Sequence, residues 1–305
     1  MKPHTFRFDY TASLNATITK MVELALAEDL NSLESGSDIT AELIPEDQLV
    51  TASLICREEG ILCGTRWVDE VFRQLDDALG EKVTISWRQA DGDRLTPGLE
   101  ICSLEGSARV ILIGERTAMN FLQTLSGTAT VTHRYVTELE GTGCRLLDTR
   151  KTIPGFRLAQ KYAVTCGGGH NHRIGLFDAF LIKENHIIAC GGIAKAIVQA
   201  RLNHPEQPVE VEVESLSELE AALNAGADVI MLDNFGHDEM LAAVAYNNLN
   251  YNKLTYKKAQ AALEASGNIT LENLADVART GVDYISVGAI TKNIQALDLS
   301  LRIQM

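Results

Sequence analysis

The sequence predicts an α/β protein with two domains, a mixed first domain followed by a β/α barrel. From about residue 145 short apolar strands alternate with helical stretches, which implies parallel strands joined by right-handed crossovers. Reactive side chains follow these strands, as expected of a barrel with its active site at the carboxyl ends of the strands. Strands outnumber helices in residues 1–114, which indicates an α+β layer domain. A barrel, complete or incomplete, is favoured over an open doubly wound sheet.

The first domain is predicted from helical and alternating apolar patterns. Its helices are expected at Met21–Asn31 and Arg66–Leu75. Its strands are expected at Val50–Cys56, Lys82–Trp87, Glu100–Leu104 and Arg109–Ile113. A further helix, Glu115–Ser126, leads into the second domain, and Gly127 is a plausible helix stop.

The second domain repeats one strand and one helix several times. The expected strands are Arg145–Asp148, Ala179–Ile182, Val209–Val213, Asp228–Leu232, Ala262–Ala265 and Tyr284–Val287. The expected helices are Ile193–Asn203, Ser217–Ala225, Asp238–Tyr246 and Leu271–Arg279. Six visible strands are fewer than a full barrel contains, so the barrel need not be complete.

Composition and cysteine usage describe a cytosolic type of protein. The chain has 305 residues, 46% of them hydrophobic, and no apolar run near the ~18 residues of a membrane span. The N-terminus lacks an export signal, so a cytoplasmic location away from membranes is expected. The six cysteines are far apart, which predicts reduced, mostly buried thiols and neither disulfides nor a zinc site.

Positive charge is concentrated in one segment of an acidic chain. The formal net charge is −14, yet residues 145–183 carry seven Lys or Arg and only two Asp. The electric field of such a segment attracts a small anion, whereas the acidic remainder of the chain repels a nucleic-acid backbone. The sequence therefore predicts a pocket for a small polyanionic ligand and no nucleic-acid partner.

Three short segments carry these cations. Arg150 and Lys151 leave a strand within Thr149–Thr152, where the alternative is an ordinary solvated loop. Gly167–Arg173 combines backbone amides with imidazole and guanidinium groups, although it also suits a flexible turn. A metal site at His170 and His172 is disfavoured because no suitable third ligand lies nearby in the sequence. Lys183 follows an apolar strand and is assigned to the pocket rather than to a snorkelling surface role.

The strand Val209–Glu214 places three carboxylates on one face, because side chains alternate along a strand. Burying them is costly without cations or a metal ion. We expect at least Glu212 to face the ligand, with Asp233 at the end of the next strand. Two carboxylates near phosphates suggest Mg²⁺ held mainly through substrate oxygens and water. The Gly-containing turns Ser266–Asn268 and Ser286–Ala289 suit a phosphate.

Taken together, these segments resemble the quinolinate phosphoribosyltransferase family, the type II phosphoribosyltransferases also called nicotinate-nucleotide pyrophosphorylases (carboxylating). The matching strings cover nearly the whole chain in the order of the family. They are Gly114–Asn120, Leu147–Gly155, Cys166–Arg173, Leu181–His186, Glu212–Glu214, Leu232–Phe235, Ser266–Asn268 and Ser286–Ala289. The polar stretch Asn247–Lys258 departs from the pattern as an insertion but leaves these strings intact.

The resemblance implies an N-terminal α/β sandwich domain, residues 1–114, rejoined by residues 293–305. It implies an incomplete, seven-stranded-like β/α barrel at residues 115–292. Family members work as homodimers, with the arginine at position 116 supplied across the interface. Their reaction transfers phosphoribosyl from phosphoribosyl pyrophosphate (PRPP) to quinolinate with decarboxylation, using Mg²⁺. It gives nicotinate mononucleotide, pyrophosphate and CO₂ for NAD biosynthesis.

The resemblance also implies residue roles. The pyridine dicarboxylate is assigned to the cations Arg116, Arg150, His172, Arg173 and Lys183. Lys151, Glu212 and Asp233 are expected to be catalytic, with Glu212 and Asp233 also meeting the metal, directly or through water. The remaining substrate contacts are expected from Thr149, Ser266, Gly267, Asn268, Ser286, Val287 and Gly288. Two alternatives remain, a sibling phosphoribosyltransferase for another carboxylated base such as nicotinate, and a non-catalytic anion-sensing barrel.

Overall fold

The computed structural model describes residues 6, 9–32, 38–253 and 260–304 of the chain. These residues form two compact units. One unit contains Asp9–His133, Leu158–Gly168 and the C-terminal residues from Asn293. The other contains Arg134–Arg157, Gly169–Lys292 and Phe6. Part of the polar stretch 247–258 lies outside the described residues, so its insertion-like character stays a prediction.

The unit that begins at Asp9 mixes helices with antiparallel strands. Its elements up to the long helix are α1 (Thr11–Leu30), β1 (Leu49–Cys56), β2 (Gly60–Ile61), α2 (Thr65–Leu79), β3 (Val83–Trp87), β4 (Arg94–Leu95), β5 (Glu100–Ser107) and α3 (Ala108–Glu138). Helix α1 buries one residue in every turn, namely Leu14, Ile18, Val22, Leu26 and Leu30. This spacing is the apolar stripe of a helix that packs on a core.

An antiparallel sheet forms the centre of this unit. In the described chain it has four strands in the order β12-β1-β5-β3, where β12 is Leu299–Gln304. The register pairs Cys56 with Leu299 and Thr51 with Gln304, so the C-terminal strand closes one edge of the sheet. The predicted strands Val50–Cys56, Lys82–Trp87 and Glu100–Leu104 are confirmed as β1, β3 and β5.

The strand expected at Arg109–Ile113 and the helix stop at Gly127 are wrong. Both lie inside the single helix α3, which also contains the predicted division at residues 114 and 115. The apolar run Val110–Ile113 is strand-like only in a short window, since it belongs to a helix of 31 residues. Gly127 permits a close approach instead of ending the helix, because an added Cβ would lie 2.1 Å from the Gln295 carbonyl oxygen.

The other unit alternates strands and helices. Its strands are β6 (Arg145–Leu147), β7 (Phe180–Ile182), β8 (Val209–Val213), β9 (Val229–Asp233), β10 (Ala262–Ser266) and β11 (Tyr284–Ser286). Along the chain the helices are α4 (Arg157–Cys166), α5 (Glu184–Cys190), α6 (Ile193–Asn203), α7 (Leu216–Ala225), α8 (His237–Lys253), α9 (Leu271–Arg279) and α10 (Ala289–Lys292). Most of α4 belongs to the first unit. All six predicted strands are confirmed, within a residue at each end.

These strands form a parallel sheet that curls back on itself. The order among the described strands is β6-β11-β10-β9-β8-β7, so the last strand of the unit pairs with the first. His170 makes a parallel bridge to Leu147 on the free side of β6. The first strand therefore has a neighbour on each side, as in a barrel that is open between this bridge and β7. The predicted fold class, an α/β protein with an incomplete barrel, is confirmed.

No helix in the described part of the chain has both the length and the apolar character needed to cross a membrane.

Candidate active site

The predicted site residues stand at the carboxyl ends of neighbouring parallel strands. Thr149, Arg150 and Lys151 follow β6, Lys183 follows β7, and Asp233 ends β9. Glu212 lies within β8, opposite Met231 of β9. Because parallel strands all end at the same edge of the sheet, these side chains gather at one end of the barrel unit.

An ion pair joins the cationic and acidic groups. The Lys183 Nζ donates to Glu212 Oε2, with the lysine about half exposed and the glutamate largely buried. Burial raises the pKa of the Asp233 carboxyl, and the Glu212 charge raises it further. The Lys183 and Lys151 ammonium groups oppose this effect. Glu212, Asp233 and the two lysines therefore share one electrostatic site.

Arg150 and Arg173 lie close enough for their charges to repel each other, although they are 23 residues apart in the sequence. The buried Arg173 guanidinium donates from Nη1 to the Ala179 carbonyl oxygen at 3.3 Å. Burial lowers the pKa of Arg173, and the neighbouring Arg150 charge lowers it further. The Arg150 Nε is buried and has no hydrogen-bond partner among the described residues. Two neighbouring positive charges, one of them with an unpaired guanidinium donor, suit an anionic ligand.

Asp148 fixes the segment that carries these cations. This fully buried carboxylate accepts the His172 backbone N–H at 2.9 Å and the Asn171 Nδ2–H at 2.6 Å. The backbone also ties this segment to the end of β6, because the Asp148 N–H donates to the His170 carbonyl oxygen at 3.1 Å. Sequence reasoning gave Asp148 no role. Its place next to the strand end, inside an otherwise cationic segment, was the available signal.

His172 is more buried than a residue that only binds a ligand would be. Its ring stacks on Phe6 with centroids 4.2 Å apart, and its Nδ1 accepts the Arg173 backbone N–H at 2.7 Å. Nδ1 is therefore an acceptor, and the ring proton lies on Nε2, 2.8 Å from Glu210 Oε2. The ring thus connects the backbone of Arg173 with a buried carboxyl group.

Glu210 and Glu264 form a fully buried carboxyl pair that sequence reasoning missed. Burial raises the pKa of both groups to about 8, so the pair retains a proton at neutral pH. The alternation along β8 correctly predicts an interior Glu210, but its partner comes from β10. A proton held by the pair, in place of a neighbouring cation, lowers the free-energy cost of burying Glu210.

His172, Glu210 and Glu264 bring their ligand atoms within 4.8 Å of one another, which is close enough to consider a metal ion. A metal on Nε2 would require a proton on Nδ1, where the Arg173 N–H already points. The geometry therefore favours a proton-sharing network over a metal site.

The predicted phosphate turns have the backbone shapes that bring amides close to a ligand. Gly267 and Asn268 have φ of 96° and 50°, and Asn234 has φ of 56°. A Cβ on Gly267 would lie 2.2 Å from Asn234 Oδ1, which in turn accepts Asn268 Nδ2–H at 3.2 Å. All three residues line a cleft of about 450 Å³. The Ser266–Asn268 turn thus opens onto a cavity.

The second turn lies against the cationic loop. A Cβ on Gly288 would come within 2.9 Å of Lys151 Cδ and 3.3 Å of Thr149 Oγ1. The Val287 N–H donates to the Leu147 carbonyl at 3.0 Å, and Thr291 Oγ1 donates to the Lys151 carbonyl at 2.8 Å. Ser286 is buried at the end of β11. This turn therefore positions the backbone of Lys151.

Arg116 is the predicted site residue that lies in the other unit. It is exposed on α3, within the part of that helix that belongs to the antiparallel-sheet unit. Its assignment to the ligand stays a prediction.

Known proteins resemble this chain over its whole length. The family model "Quinolinate phosphoribosyl transferase, N-terminal domain" matches residues 38–126, and the corresponding C-terminal domain matches residues 128–302. The "Nicotinate-nucleotide pyrophosphorylase [carboxylating]" of Mycobacterium leprae is 41% identical, over 92% of this chain and 95% of that protein.

Two further relatives agree. The "Probable nicotinate-nucleotide pyrophosphorylase [carboxylating]" of Bacillus subtilis is 40% identical over 94% of each chain. The structure of the nicotinate-nucleotide pyrophosphorylase from Francisella tularensis covers 100% of both chains, with a TM-score of 0.86 and 46% identity. The likeness therefore extends to both units.

Proposed function

This chain belongs to the quinolinate phosphoribosyl transferase family, and we propose that it makes nicotinate mononucleotide from quinolinate and PRPP. Pyrophosphate and CO₂ are the other products, and the step belongs to NAD biosynthesis. The protein is thus an enzyme, a decarboxylating pentosyltransferase. The observation that carries the proposal is the meeting of Arg150 and Arg173 beside Lys183, Glu212 and Asp233.

The cations suit a ring that bears two adjacent carboxylates. Arg150 and Arg173 offer planar forks, and Lys183 a third positive charge, so the substrate would relieve the repulsion between the guanidinium groups. His172 supports this arrangement because its Nδ1 accepts the Arg173 backbone N–H. In a homodimer, Arg116 of the partner subunit would complete the cationic wall.

The acidic residues suit the ribose and its metal. Glu212 and Asp233 would meet the ribose hydroxyls and Mg²⁺, directly or through water. Their oxygen donors fit this ion, and the raised pKa of Asp233, caused by burial and by the Glu212 charge, supports a role for a cation here. When bound, Mg²⁺ neutralises charge on the pyrophosphate of PRPP. The 5′-phosphate is assigned to Ser266, Gly267 and Asn268 with Ser286, Val287 and Gly288.

The chemistry needs positioning and charge, and no covalent nucleophile. The quinolinate nitrogen forms a bond to C1′ as the C1′–O bond to pyrophosphate breaks, and the carboxylates of Glu212 and Asp233 stabilise the positive charge that builds at C1′. Lys151 stabilises the leaving pyrophosphate. The cationic ring then accepts the electron pair of the breaking bond to the 2-carboxylate, CO₂ departs, and the ring carbon takes a proton.

A nicotinate-specific sibling is not favoured. Nicotinate has one carboxylate, and a site for it needs fewer cations than Arg150, Arg173 and Lys183 provide. The anion-sensing alternative is also disfavoured, because a sensor has no need for Glu212 and Asp233 beside the ligand. We further propose a cytoplasmic enzyme, since its six cysteines are free thiols, as is usual in a reducing compartment.

The test is to follow CO₂ and pyrophosphate together after mixing the protein with Mg²⁺, PRPP and quinolinate. Equal release of both is expected, and nicotinate should not replace quinolinate. A folded protein that binds quinolinate without releasing either product would support the sensor and end the proposal.

A variant separates the two substrates. Arg150→Ala should raise the KM for quinolinate and leave the Kd for PRPP unchanged. The control is Arg302→Ala, an exposed arginine on the edge strand β12, which should leave both values unchanged. Equal losses for both substrates would contradict the role of Arg150.

A further inference from the structure

A second cluster of reactive side chains lies in the antiparallel-sheet unit. Cys63, Asp91 and Cys166 each bring one ligand atom to within 4.8 Å of the others. They come from the segment before α2, the turn before β4 and the last residue of α4. The sequence predicts no zinc site because the cysteines are widely spaced, yet the fold brings two of them together with a carboxylate.

Asp91 is held in one orientation by hydrogen bonds. Its Oδ1 accepts the Gly64 and Thr65 backbone N–H groups at 2.9 and 3.1 Å, at the start of α2. Its Oδ2 accepts the Tyr162 hydroxyl at 2.8 Å. Metal-binding carboxylates are oriented in this way by outer partners, and Oδ2, which accepts one hydrogen bond, keeps a further lone pair.

The surroundings suit a cation that prefers sulfur. Cys63 is fully buried, whereas Asp91 and Cys166 are half-buried and leave one side open. Zinc–sulfur bonds of about 2.3 Å place tetrahedral ligand atoms roughly 3.5–4 Å apart, so small side-chain shifts would complete the site.

We propose that Cys63, Cys166 and Asp91 bind a thiophilic divalent cation of the zinc class, with water as the fourth ligand. The site is separate from the oxygen donors Glu212 and Asp233 and does not depend on the proposed reaction. A bound cation would hold the end of α4 in place. Cys166 is the last residue of this helix and directly precedes Gly167–Gly169 and the His170–Arg173 segment.

Cobalt is the probe, because thiolate ligands give Co²⁺ an intense near-ultraviolet charge-transfer band that oxygen ligands do not give. The full-length protein, stripped with a chelator and kept reduced, should develop this band at one equivalent of Co²⁺. Zn²⁺ should displace the cobalt. Cys166→Ser should abolish the band, whereas Cys190→Ser, at an exposed cysteine outside the cluster, should preserve it.

Tyr162→Phe provides a milder variant if the cysteine variant fails to fold. It removes the hydroxyl that orients Asp91 but keeps all three ligands. The band should persist while the affinity for Co²⁺ falls about 10–100-fold.

Two results would overturn the proposal. One is the absence of a charge-transfer band in the reduced wild-type protein, or its persistence in Cys166→Ser. The other is a protein that binds no cobalt and in which only four of the six cysteines react as free thiols after denaturation without reductant, which would show a Cys63–Cys166 disulfide instead.

Discussion

Glu212→Gln tests the acidic side of the candidate site with the smallest change of shape. The amide keeps the size of the side chain but removes the charge that faces Lys183 and that we propose to face the ribose. If that charge stabilises the cationic C1′ of the transition state, its loss costs about 2.7–4 kcal/mol. That corresponds to a fall in kcat of about 10²–10³-fold.

The stability of the fold should change far less. The Lys183 side chain is 47% exposed, so its ion pair with Glu212 is close to a surface pair. Such pairs contribute about 0–1 kcal/mol, which moves the Tm by at most about 2–4 °C in a chain of this size. A large catalytic loss with a small thermal shift is therefore the expected pattern.

Steady-state release of pyrophosphate and CO₂ measures kcat, and calorimetry measures the Tm. Glu214→Gln is the matched control, because Glu214 lies two residues after Glu212 in the chain and is exposed. It should leave kcat within a factor of about two, the range of small surface changes. Equal kcat in the two variants, or a loss of activity in Glu212→Gln explained by unfolding, would refute the reasoning.

Three further predictions follow from the structure. Mixing an Arg116→Ala protein with the Glu212→Gln protein should give more activity than either alone, since one site of the mixed dimer is intact; additive activities would place Arg116 outside the partner's site. The pKa of Glu264 is raised from 4.5 to about 8, so its stabilisation is complete below about pH 4.5 and is lost as the pH rises towards 8. Glu264→Gln should flatten the fall of Tm between pH 5 and 8, and an unchanged slope would contradict the protonated pair. Gly267→Ala, at φ 96° and with a Cβ 2.2 Å from an asparagine oxygen, should raise the KM for PRPP at least tenfold, because about 1.4 kcal/mol of lost contact is enough. Gly236→Ala, whose Cβ has 3.4 Å of clearance, should bind PRPP normally, and equal KM values in the two variants would remove the phosphate role from this turn.

The sequence predicts the barrel well because its signals are local. Each strand is a short apolar run, and the reactive residue that follows it is adjacent in the chain, as with Lys183 after β7. The alternation of Val and Glu along β8 likewise predicts that its carboxylates share one face. These features depend on neighbouring residues, so periodicity alone is enough to find them.

The missed features depend on residues that meet only in the folded chain. Glu210 is predicted to be interior, but its partner Glu264 lies on another strand. Cys63 and Cys166 look isolated in the sequence and become neighbours in the fold. Gly127 looks like a helix stop because its contact with the Gln295 carbonyl is invisible in the sequence. Local pattern cannot supply such long-range pairs.

The pairings β6–β11 and β1–β12 have a consequence for synthesis of the protein. The parallel sheet receives β11, and the antiparallel sheet receives β12, after all of their other strands, so synthesis must reach Ser286 and Gln304, respectively, before the two sheets are complete. Until then β1 presents an open edge to other nascent chains, a hazard that chaperones usually cover. Deleting the strand Leu299–Gln304 should consequently harm solubility during expression more than it harms the chemistry of any enzyme that does mature.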